Sequence, residues 1–148
     1  IREILSFAPR GRGTDLSQAL DFLGQLVRKR CICFLISDFI GSGYERSLRL
    51  SCKRHDMVAL SISDPREREL PSVGFVELED AETGETLLID TQDPELRRQY
   101  REAQHQEREE RTRLFRSMDL DHVPLSTHVS YVGPLLAYFR RRERSIRR

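Results

Sequence analysis

The sequence predicts an α/β domain built on an open, mostly parallel sheet with helices on both faces. CICFLIS (31–37) and MVALSIS (57–63) are nearly continuous apolar runs of strand length, the pattern of parallel strands covered on both sides. Helical segments alternate with them, which is the order of a strand-and-helix sheet. The 148 residues fit one domain with a modest core, on a scale of about 100–200 residues per domain.

Taken in order, IREILSF opens the chain with Ile1, Ile4, Leu5 and Ala8 at helical spacing, and it begins on Ile1 in place of methionine, as a piece cut from a longer protein does. GRGTDLSQALDFLGQLVRK is a Gly-rich turn followed by the stripe Leu16, Ala19, Leu20, Leu23, Leu26 and Val27, which predicts a helix packed on a sheet. Gly41 and Gly43 interrupt the chain before a second helix over about 44–54. GFVELE (74–79) and TLLIDT (86–91) flank AETGE and predict a β-hairpin inserted over about 74–91. Asp93 and Pro94 start a long helix to about Met118, whose wholly polar middle (104–113) spaces Glu107 with Arg111 and Glu109 with Arg113 for ion pairs. A strand at DHVPLST (121–127) and a helix carrying Leu135, Leu136 and Phe139 close the pattern.

Composition removes several function classes. Twenty-five basic and 24 acidic residues leave a net charge of +1, so no global field selects nucleic acid or an anionic membrane. The tail RRRERSIRR (140–148) has no interleaved aromatic residue for stacking, and a solvated helix end accounts for it. No run approaches the roughly 18 apolar residues of a membrane span, so the piece itself is expected to be soluble and cytoplasmic, without membrane contact. Three cysteines are read as reduced and buried, Cys31 and Cys33 on one strand face. Neither Cys52 nor the four histidines supply the second ligand pair that zinc requires.

In open parallel sheets ligands bind outside the carboxyl ends of the strands, where Asp38 ends FLISDF and Asp64 ends SISDP. Thr14 and Asp15 lie in the turn before the helix that begins at Leu16. Carboxylates and hydroxyls suit a hard cation such as Mg2+. The plainer reading stands beside it: Thr14 or Asp15 caps a helix, with Gln18 answering Asp15, and Asp64 before Pro65 ends a strand.

GRGTDLSQALDFL, FLISDF and RHDMVALSISDPRERELPSVGFVELEDAETGETLLIDT together resemble the bacterial von Willebrand factor A-like proteins of domain of unknown function 58, a likeness running to the final LLAYFRRR. The resemblance implies a Rossmann-like sheet and a metal-ion-dependent adhesion site, with Mg2+ held by an Asp-x-Ser-x-Ser motif, a threonine and an aspartate. Thr14 matches the threonine and Asp38 the aspartate. No Asp-x-Ser-x-Ser occurs in these residues; Asp15-Leu16-Ser17 comes nearest, with Ala19 where the second serine belongs. The chain is therefore expected to be a partial, N-terminally truncated domain over 1–148. It would lack the first central strand, hold half a metal site and bind Mg2+ weakly or not at all.

The function implied is a metal-dependent protein-interaction module, not itself catalytic, acting with a MoxR-type AAA+ ATPase. Some relatives of that kind carry upstream transmembrane segments. The missing neighbour of the 31–37 strand leaves an apolar edge, from which a homo-oligomer is expected. A competing reading is a magnesium-dependent hydrolase or phosphoryl-transfer domain using Asp38 and Asp64. Against it, the sequence holds no phosphate-binding GxxxxGK[ST] loop and no nucleophile constellation. A purely structural domain, with Asp38 as a turn former, is the third.

Overall fold

A computed structural model describes residue 6 and residues 13–79 and 84–146 of the chain. The helical spacing expected over Ile1–Ala8 lies outside the described residues, apart from residue 6.

Among the described residues four helices and five strands follow in the order α1 (Leu16–Leu26), β1 (Ile32–Ser37), α2 (Glu45–Arg54), β2 (Asp56–Ser63), β3 (Phe75–Glu79), β4 (Thr86–Asp90), α3 (Pro94–Ser117), β5 (Asp121–Ser126) and α4 (Val132–Ile146), with a 3₁₀ turn at Pro65–Glu67. β1, β2 and β5 form a parallel sheet in that order, with Ile32 opposite Asp56 and Val58 opposite Asp121. β3 and β4 form a separate antiparallel pair, Phe75 opposite Asp90 and Glu79 opposite Thr86. Local chemistry accounts for the starts of α1 and α3. Asp15 accepts a hydrogen bond from the Gln18 amide at 2.8 Å, and Asp93 from the Glu95 amide at 2.8 Å ahead of Pro94.

Alternation along β2 divides the core into two layers. Met57 and Ala59 face α1, α2 and α3 and join Leu20, Phe39, Leu48 and Phe115. Val58 and Leu60 face the other way and join Val123 and Tyr138 under α4. β2, between β1 and β5, is covered on both faces. On β1, Cys33 and Leu35 pack into the first layer, while Ile32, Phe34 and Ile36 are 59%, 41% and 61% exposed. This corrects the expectation that β1 is covered on both sides. Phe34 meets the edge of Phe139 of α4 with ring centroids 6.2 Å apart.

Three further expectations change. The cysteines are free but half-buried, with Cys31 Sγ 3.5 Å from His55 Nδ1. Glu109 and Arg113 approach to 3.8 Å, but Arg111 turns away from Glu107 toward β1. The basic tail is not wholly solvated, because Arg142, only 20% exposed, is ion-paired with Asp56 and Asp121 and holds α4 against the amino ends of β2 and β5. Among the described residues no helix is long and apolar enough to cross a membrane.

Candidate functional site

β1 ends in a turn whose geometry separates a buried anchor from an exposed carboxylate. Phe39 has φ of 57°, a left-handed conformation costly for a bulky side chain. Its ring offsets the strain by filling the first core layer between Tyr44 and Phe115, at centroid distances of 6.0 and 5.0 Å. Asp38, the preceding residue, is exposed at the carboxyl end of β1. Its Oδ1 accepts from the Ile40 amide at 3.1 Å and from Ser37 Oγ at 3.4 Å. Gly41 and Gly43 follow with φ of 102° and 92°, where a Cβ would be strained, so the loop can return tightly to α2.

The loop carrying Thr14 meets this turn. Ser17 Oγ donates to the Gly43 carbonyl at 2.8 Å, and Thr14, Asp15 and Ser17 share a cleft of about 370 Å³ with Ile40–Tyr44. The capping alternative resolves to Asp15, whose carboxylate takes the Gln18 amide; Thr14 stands just outside the helix. The fold brings the two loops together, while the Asp38 carboxylate lies outside the cleft that Thr14 lines.

The donors are of the right kind for a hard cation, one hydroxyl and one carboxylate. They are too few to displace its water, and among the described residues no three His, Cys, Asp or Glu side chains group as metal ligands do.

Asp64 has a structural assignment. Its Oδ1 accepts from the Arg66 amide at 2.8 Å while Glu67 returns a carboxylate to the Asp64 amide at 3.0 Å, a complete capping box. Oδ2 takes the Thr127 hydroxyl at 2.6 Å, which ties β2 to the end of β5 and, with the Arg66 amide, holds the carboxyl below its ordinary range. The DPRE segment is thus a local turn device.

Two features escaped sequence reasoning. Arg111 donates to the Asp38 carbonyl at 2.8 Å across 73 positions. On the sheet face beneath α3, Ser61 Oγ lies 2.6 Å from His122 Nε2, and the His122 ring meets Phe115 edge-on at 5.0 Å. The serines at alternate positions 61 and 63 of an otherwise apolar strand were the available signal.

Residues 1–110 match the family described as Protein of unknown function DUF58. An uncharacterized protein of Mycobacterium avium is 35% identical over 138 residues, covering 93% of this chain and 81% of its own length. Uncharacterized proteins of Mycobacterium tuberculosis and Mycobacterium bovis are 34% identical over 138 residues, and there the chain spans only 43% of the relative. No solved structure matches. With the family matched over most of its length, and the mycobacterial relatives over nearly all of it, the chain belongs to the family Protein of unknown function DUF58.

Proposed function

We propose that this chain is a metal-ion-dependent protein-interaction module of von Willebrand factor A-like layout, acting with a MoxR-type AAA+ ATPase and performing no chemistry of its own. The observation that carries the reading is the turn at the end of β1, where a strained, core-anchored Phe39 leaves Asp38 exposed beside the loop bearing Thr14. Strain of this kind gathers at functional sites. The partner class rests on the resemblance of GRGTDLSQALDFL and FLISDF to the adhesion-site proteins.

In this reading Asp38 supplies one carboxylate and Thr14 one hydroxyl of a Mg2+ site whose remaining ligands, the Asp-x-Ser-x-Ser motif that the resemblance implies, are absent from these 148 residues. Bound there, the ion offers an open coordination position to a carboxylate of the partner. The Arg111 contact and the Ser17–Gly43 contact keep the two loops in register. The acid pair of the hydrolase reading has no geometric support, since both Asp64 oxygens serve the turn and Thr127.

The test mixes the longer parent protein, to which the resemblance assigns the Asp-x-Ser-x-Ser motif, with a MoxR-type ATPase in Mg2+ or in EDTA. A complex present in Mg2+, absent in EDTA and absent for Asp38→Ala supports the proposal. A complex indifferent to both overturns it.

Self-association belongs to the same proposal. β1 is an edge strand of the described sheet and carries exposed Ile32, Phe34 and Ile36, which favours pairing with a second copy. Light scattering should find a dimer or larger species. A strict monomer with slow amide exchange along 31–37 would count decisively against that part.

A further inference from the structure

We infer that the cleft between α3 and the sheet at β2 and β5 binds a small phosphorylated molecule. The cleft measures about 660 Å³, within the several-hundred-Å³ range of small-molecule sites. Its wall is cationic: Arg68, Arg108, Arg111 and Arg116 line it, and its one carboxylate, Glu109, is already 3.8 Å from Arg113. Its floor holds the hydroxyls of Ser61 and Ser63 and the ring of His122.

Charge balance separates this cleft from an ordinary solvated helix face. Two turns and more toward the amino end of α3, Arg98 is clamped between Glu95 at 2.6 Å and Glu102 at 2.7 Å. Arg68, Arg108 and Arg116 have no carboxylate within ion-pair distance among the described residues. Arg68 donates through Nη2 to Ser63 Oγ at 2.9 Å, yet its Nε is buried without a hydrogen-bond partner among the described residues. A buried donor of that kind needs an acceptor. The floor is equally unusual, because below Met57 and Ala59 the same strand face turns from apolar to Ser61 and Ser63.

The chemistry selects phosphate over carboxylate. Guanidinium forks meet either anion, but a single arginine satisfies both oxygens of a carboxylate, whereas a phosphate presents three oxygens and up to two charges to several donors at once. Among the described residues no Phe, Tyr or Trp lines the cleft for base stacking, and the His122 ring packs edge-on against Phe115, so a nucleic-acid strand is not the expected occupant. The inference is independent of Thr14 and Asp38, neither of which lines this cleft.

Calorimetric titration with inorganic pyrophosphate at physiological ionic strength tests it, with succinate as the dicarboxylate control. Pyrophosphate should bind saturably and succinate far more weakly. Arg116→Gln, at an exposed position that does not hold the fold, should weaken pyrophosphate about tenfold, the size of one charge-assisted contact. Arg101→Gln, exposed on the same helix outside the cleft, should change nothing. Absence of saturable binding, equal affinity for succinate, or equal losses from Arg116→Gln and Arg101→Gln would each overturn the inference.

Discussion

Arg111 donates a 2.8 Å hydrogen bond to the backbone carbonyl of Asp38, joining the middle of α3 to the turn that ends β1. The same guanidinium lines the basic cleft, so one side chain lies between the exposed Asp38 turn and the arginine cluster. Arg111→Ala should release the turn and lower stability by about 1 kcal/mol, toward the low end for a charged donor because the bond is solvent-accessible. Urea unfolding measures the loss, and faster exchange of the Ile40 amide would locate it. A normal Ile40 exchange rate would mean that Phe39 alone fixes the turn.

Arg142 gathers Asp56 and Asp121 at the amino ends of β2 and β5, and Tyr138 Oη donates to Asp121 at 3.1 Å within the same group. Burial first, then the Asp121 charge, pushes the Tyr138 hydroxyl up to about 12. Arg142→Ala leaves two carboxylates facing each other and should cost about 1–3 kcal/mol, less than a fully buried pair because both acids are partly exposed. Adding Asp56→Asn should recover part of the loss in thermal unfolding. Full additivity of the two changes would show that they do not interact.

His122 predicts a pH dependence of stability. Burial first, and the Arg111 charge second, lower its pKa from the ordinary 6.5. The unfolded chain therefore takes up this proton at a higher pH than the fold does. The His122 contribution is complete above about 6.5 and is lost as pH falls through the lowered folded value. The melting temperature should decline from pH 7 to pH 5, and His122→Gln should flatten that segment of the profile. An identical slope in the variant would assign the decline to other groups.

Gly84 has φ of 75° just ahead of β4, and a Cβ there would meet nothing within 4 Å among the described residues. The cost of a substitution is then conformational and not steric. Gly84→Val should lose about 1–2 kcal/mol, while Gly84→Asn, which tolerates the left-handed region, should lose less. Equal unfolding midpoints for the two variants would remove the turn argument.

The sequence by itself determined the elements and their order. The apolar runs ending at Ser37 and Ser63, the hairpin flanking AETGE, the Asp93-Pro94 helix start and the positive φ at Gly84 all depend on interactions within a few residues, which spacing and turn chemistry report directly. It also placed Asp38 at a strand end and Thr14 before a helix. Only the tertiary structure decided which polar residues became structural. Asp64 is a cap because Thr127 and Glu67 come to it, and Arg142 is an anchor because β2 and β5 pair in the register that brings Asp56 and Asp121 together. Arg111 offered the same spacing to Glu107 that Arg113 offers to Glu109, yet α3 packs so that a carbonyl 73 positions away captures it. The cleft of Arg68, Arg116, Ser61 and His122 was illegible for the same reason: its members lie on three different elements and a connecting turn, and sheet register with helix packing, not periodicity along the chain, sets their distances.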